Sequence, residues 1–213
     1  MSIRCFVLCC LCALASLPLA AQKEVKVSYE YMDKFQQGLL KMQGISYLKA
    51  TVEGMDDKPF QLTRVVCRGG NFEAEEIIPE FYDIRGIKEL HFYAQGISPD
   101  SVKVHIETNI MGVGPINTGV ENSVNFILME TYDGTLGKII ESEAGDVVYV
   151  IYPYGAEIPL IAYTTGLESE MEIEGVVYPR VDFCGLRFKY ENPRNWYEKL
   201  GVNNYIYYTI KFK

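Results

Sequence analysis

Apolar and polar residues alternate with a period of two through most of this chain, in short runs separated by Gly, Pro, Asn and Asp. That pattern predicts strands with one face buried, because helical apolar positions recur every three to four residues instead. The stretch 46–53 puts Leu48, Ala50 and Val52 on one side and Tyr47, Lys49, Thr51 and Glu53 on the other. The turn-rich interval from Gly54 to Pro59 separates it from a run at 60–68. Runs at 87–95, 102–108, 158–163, 170–178, 181–188 and 205–212 read as strands in the same way. Those at 124–130 and 147–152 are almost continuously apolar, which predicts central strands covered on both faces. Roughly ten strands at this spacing predict an all-β fold, an antiparallel β-sandwich or jelly roll.

Helical signals interrupt the alternation at three places. Asp33 with Gln36 three residues on has the form of a capping box, Phe35, Leu39 and Met42 share a helical face, and Gly44 ends the run. Asn192, Pro193 and Gly201 supply the cap, first-position proline and terminal glycine of a second short helix. A third starts at Asn71, carries Glu73, Glu75 and Glu76 in its first turn, and stops at Pro79.

The first 21 residues follow a different rule. Arg4 is the only charge, Cys5 to Leu17 are nearly all apolar, and Pro18, Leu19, Ala20 and Ala21 lead into polar Gln22. This order is that of a cleavable export signal, and the run is too short for a transmembrane anchor. Residues 22–213 then form one β-sandwich domain, periplasmic or exposed at the cell surface.

Cleavage changes two counts. Cys5, Cys9, Cys10 and Cys12 leave with the signal, so Cys67 and Cys184 are the remaining pair available for a disulfide. With Arg4 gone, 28 acids face 19 bases, a net charge of about −9. That balance argues against nucleic acid and anionic membrane surfaces as partners, since both reward Lys and Arg.

Three clusters carry chemistry. In the hairpin 87–108, the register that pairs Ala94 with Val102 sets His91 across from His105 and Glu89 across from Glu107. Imidazole and carboxylate are ligands for zinc or copper, so these four would hold a divalent metal. Shifting the register by two instead puts His91 opposite Glu107 as an ion pair. Glu168, Glu170, Glu172 and Glu174 alternate with Leu167, Ser169, Met171 and Ile173, which aligns four carboxylates on one strand face. They would attract calcium or a basic partner, or form a solvated face that discourages edge pairing. Trp196, Tyr197, Tyr205, Tyr207 and Asn195 fall in an aromatic, Asn-rich region suited to stacking on sugars. The competing expectation is core packing: Trp196 and Leu200, four apart on the predicted helix, would pack it onto the sheet.

No nucleophile elbow, zinc-protease or phosphate-loop motif is present in the sequence, and no catalytic residue stands out. A carboxylate-based glycan hydrolase needs only two acids about 5–10 Å apart, and nothing here singles out a pair. The Ala-Ala-Gln leader end, followed by a Tyr- and Asn-rich acidic β-chain, resembles the small exported β-sandwich proteins of unknown function common in gram-negative gut bacteria. That resemblance carries no motif and transfers no residue role. The expected function is a non-catalytic binding module, with glycan the preferred ligand and another cell-envelope protein the alternative partner.

Overall fold

The computed structural model describes residues 23–79, 82–120 and 126–213. The expected signal segment, with its four cysteines, and the start of the expected strand 124–130 lie outside the described residues.

Fourteen strands and three short helices follow in the order β1 (Glu24–Glu30), α1 (Lys34–Met42), β2 (Ile45–Glu53), β3 (Phe60–Arg68), β4 (Asn71–Ile78), β5 (Glu89–Ser98), β6 (Ser101–Thr108), β7 (Gly112–Gly119), β8 (Ile127–Glu130), β9 (Lys138–Glu141), β10 (Val147–Pro153), β11 (Glu157–Thr164), β12 (Leu167–Ile173), β13 (Val176–Asp182), α2 (Phe183–Arg187), α3 (Trp196–Leu200) and β14 (Asn204–Phe212). A 3-10 turn, Pro193–Asn195, leads into α3. The strands form a seven-stranded sheet in the order β7-β6-β5-β2-β1-β10-β9 and a five-stranded sheet in the order β4-β3-β14-β11-β8. Among the described residues, strands β12 and β13 pair only with each other. Every pairing is antiparallel, and the all-β sandwich is as the alternation predicts.

The main core lies between the two large sheets. Val25, Val27, Leu48, Ala50, Leu90, Phe92 and Val104 come from one sheet, and Leu62, Ile158, Leu160, Ile206, Tyr208 and Ile210 from the other. The rings of Phe92 and Tyr208 meet across this layer at 5.4 Å. A second, smaller core sits on the opposite face of the five-stranded sheet, where Val65, Cys67, Met129, Ala162, Tyr205 and Tyr207 are covered by Leu186 and Trp196. Burial on both faces is therefore a property of β11 and β14, which are covered along nearly their whole length. Strand β10, expected to be central, is second from an edge and buries alternate residues only.

Three other expectations are corrected. The helix expected from Asn71 is strand β4, because Gly69 and Gly70 make a tight positive-φ turn that pairs Arg68 with Asn71 and folds the segment back on β3. Arg64 and Arg68 then bridge to Glu75 and Glu73 across the strands. The run 170–178 is two strands, not one, since Glu174 and Gly175 turn the chain with φ 51° and 81°. The run 181–188 is mostly α2, started by the Asp182 carboxylate accepting from the Gly185 amide at 2.7 Å.

Candidate functional site

Two segments hold several large apolar residues in water close together, α1 and the β12–β13 ribbon. On α1, Asp33 caps the helix by accepting from the Phe35 and Gln36 amides, as its spacing predicts. Yet Phe35 is 75% exposed and Met42 87% exposed, and no residue of α1 is buried.

The larger feature is the β12–β13 ribbon. Its two-residue turn joins Ile173 directly to Val176, and both residues of the turn have the left-handed φ of a type I′ turn, which matches the natural twist of a hairpin. Residues paired across the strands share a face. One face therefore carries Met171 with Tyr178 and Ile173 with Val176. The other carries Glu168 with Val181, Glu170 with Pro179 and Glu172 with Val177. Every residue from Glu168 to Arg180 is exposed. Only the base is anchored: Leu167 packs against the second core, and Gly166 lies so close to the Val181 and Phe183 side chains that a β-carbon there would collide with them.

Where the ribbon leaves the five-stranded sheet it walls a cleft of about 870 Å³. Phe126, Phe183 and Val202 form its apolar side, and Glu168, Arg180 and Asn203 its polar side. Glu174 sits in the turn, so three carboxylates rather than four share the acidic face. None of the three has an ion-pair partner among the described residues.

A second hollow, about 460 Å³, lies over β3, β4, β11 and β14. Gln61, Thr63, Phe72, Glu76, Arg194 and Tyr207 line it.

The aromatic residues expected to stack on sugars are mostly internal. Trp196 is 2% exposed, its indole N–H donates to the Glu191 carbonyl at 2.8 Å, and its ring lies 5.4 Å from Tyr205. Tyr205 is fully buried and donates its hydroxyl to the Pro193 carbonyl at 2.7 Å. Tyr207 is also buried, and burial pushes its hydroxyl up to about 12. Asn195 is held by Glu191, leaving Tyr197 as the one partly open ring of the set. Trp196, Tyr205 and Tyr207 build the second core, so the five form no flat exposed platform.

The histidine cluster is also rearranged. Strand β5 bulges at Ile97 and turns tightly, so Ser98 pairs with Ser101 and the register moves by two from the one that joins the histidines. His91 faces Glu107, and His105 faces Tyr93. The His91 ring nitrogen Nδ1 lies 2.7 Å from the Tyr47 hydroxyl, and His105 Nε2 lies 2.5 Å from Glu107. Glu89 is held by Lys49, whose hydrogen bond keeps its carboxyl below the usual range. The four side chains do not converge, and no group of three potential metal ligands occurs among the described residues. Cys67 and Cys184 are both free thiols, one buried and one exposed, so the expected disulfide is absent.

Periodicity gave no sign of one further cluster. Arg187 Nε lies 2.7 Å from the buried Glu130 carboxylate, an ionic contact rather than an aligned hydrogen bond. The hydroxyls of Tyr31 and Tyr132 also donate to Glu130. Burial, and then the Glu130 charge, push both tyrosines well above their ordinary range. This cluster ties the segment before α1 to the helix after β13. No helix among the described residues is long and apolar enough to cross a membrane.

Comparison with known proteins returned no matching family model, no matching curated protein and no matching solved structure.

Proposed function

We propose that the mature chain is an exported, non-catalytic binding module that engages another protein of the cell envelope through the β12–β13 ribbon. One observation carries this reading: the ribbon keeps Met171, Ile173, Val176 and Tyr178 in water, and among the described residues it is hydrogen-bonded to neither large sheet. A two-stranded ribbon alone is marginally stable in water. An apolar face held out on such a ribbon is a surface suited to burial by a partner. The apolar leader at 1–21 supports export, and the acidic balance argues against nucleic acid as the partner.

Two variants test the proposal in cells that make the protein. In one, residues 168–181 are replaced by a short Gly-Asn link; in the other, Ile173, Val176 and Tyr178 become Ser. Both are expected to fold and both to lose an envelope protein that co-purifies with the parent. Retention of that protein by both variants overturns the proposal, as does a parent that brings down none.

A second reading is favoured by the hollow over β3 and β14. Gln61, Thr63, Glu76 and Arg194 there offer the hydrogen-bonding groups a glycan needs, with Phe72 beside them. A glycan array with thermal-shift screening, run with and without divalent metals, tests it. Stabilisation by a sugar that is lost in Arg194→Ala supports this reading; no response from any sugar removes it.

A further inference from the structure

We infer that β12 is a docking edge for an extended segment of the partner, one that carries Lys or Arg at alternate positions with apolar residues between them. This rests on the protein-binding reading above and names the chemistry of the partner. The starting point is the free edge. Among the described residues, strand β12 pairs with β13 on one side and with no strand on the other, so its outward amides and carbonyls are available to a further strand.

The two edges of the ribbon are not equivalent. Strand β13 contains Pro179, which has no amide hydrogen, and proline in a paired strand sits with that position toward the free edge. The outer edge of β13 therefore lacks a donor midway along its length. Strand β12 contains no proline between Leu167 and Ile173. A partner strand has a complete ladder to join only on the β12 side.

The side chains of β12 then select the occupant. A strand laid beside it meets Glu168, Glu170 and Glu172 on one face and Ser169, Met171 and Ile173 on the other. Residues directly opposite on adjacent strands interact, with opposite charges favourable and like charges unfavourable. The best neighbour therefore places cations opposite the three acids and apolar groups opposite Met171 and Ile173.

A second copy of this chain is disfavoured at the same edge. Two-fold antiparallel pairing of β12 with itself keeps the faces matched, so Glu170 falls opposite Glu170 or opposite another glutamate. Acids alone would only guard an edge. Here they lie on a strand whose other face is apolar and uncovered, which a guarded edge does not need.

The probe is a pair of short synthetic peptides of identical composition, one alternating Lys with Val and Ile and one scrambled to break the alternation. Binding to the mature protein is read by fluorescence anisotropy, and the docking edge by amide hydrogen exchange. The alternating peptide should bind roughly tenfold more tightly than its scramble. It should protect amides of β12 and lose most of that advantage against Glu168→Gln/Glu170→Gln/Glu172→Gln. Raising the salt concentration should weaken it.

Equal binding of the two peptides, no binding of either, or protection confined to β13 overturns the inference. Dimerisation of the free protein that is abolished by removing the ribbon also overturns it. If the ribbon-deleted variant loses its envelope partner while the peptides fail, the docking chemistry proposed here is wrong and the protein-binding reading stands.

Discussion

Ile173 and Val176 face each other across a two-residue turn at the tip of the ribbon, with 48% and 51% of their surfaces in water. Burial drives apolar residues out of water, and these two are left in it by a segment that the two large sheets do not need. Replacing both with Ser should therefore change stability by less than about 0.5 kcal/mol. Ile206→Ala, by contrast, empties a fully buried position on β14 and should cost about 2–5 kcal/mol. Urea denaturation of the three proteins measures the contrast; a tip variant as unstable as the Ile206 variant would show that the ribbon belongs to the folding core.

The Glu130–Arg187 contact predicts a different signature. Arg187→Met leaves a buried carboxylate without its cation and should destabilise by about 3 kcal/mol. Adding Glu130→Leu to that variant removes the stranded charge and should restore much of the loss. A double-mutant cycle in urea checks this, and additive losses would mean that the pair acts independently.

Much of the sandwich was legible in the sequence because its strands bury one face and so alternate. Strands β2, β3, β6 and β14 fall within a residue or so of where their pattern puts them. Alternation could not fix register: the bulge at Ile97 and the tight turn after it moved His91 from His105 to Glu107, which removed the metal arrangement. Nor could it override composition. The glutamates of β4 looked like a helical first turn until the Gly69–Gly70 turn folded them back as a strand. Strand β7, rich in glycine and containing Pro115, lacks the alternation that marks the other strands. The ribbon was visible as four alternating glutamates, but the turn at Glu174 and Gly175 was missed. The spacing of Trp196 and Leu200 did mark the face by which α3 packs onto the second core.

That burial makes Trp196 a reporter. The protein's one tryptophan should emit at short wavelength, resist quenching by iodide and ignore added sugars until the chain unfolds. Titration of native protein with quencher and sugars checks this. Ready quenching would place the indole at the surface.

The two free thiols should separate kinetically. In protein lacking residues 1–21, a thiol reagent should modify exposed Cys184 promptly and buried Cys67 only on unfolding. Two fast thiols, or none, would contradict the structure.

Glu191 sets a pH dependence. Burial works to raise its carboxyl, but hydrogen bonds from Asn195 and Lys199 win and hold it below the ordinary 4.5. A depressed carboxylate contributes stability above its unfolded value and loses it as pH falls through the folded one. Glu191→Gln should thus cost about 1–2 kcal/mol at neutral pH. The gap to the parent should narrow as the pH drops below 4.5, and urea midpoints on both sides of that value measure it.

Photocrosslinking from the ribbon tests the partner-binding claim most directly. A benzophenone amino acid at position 171, on the apolar face of β12, in the full chain made in cells, should give one discrete adduct with an envelope protein. The same group at exposed position 148 on β10 should give none. No adduct at 171, or equal adducts at both positions, would contradict the account.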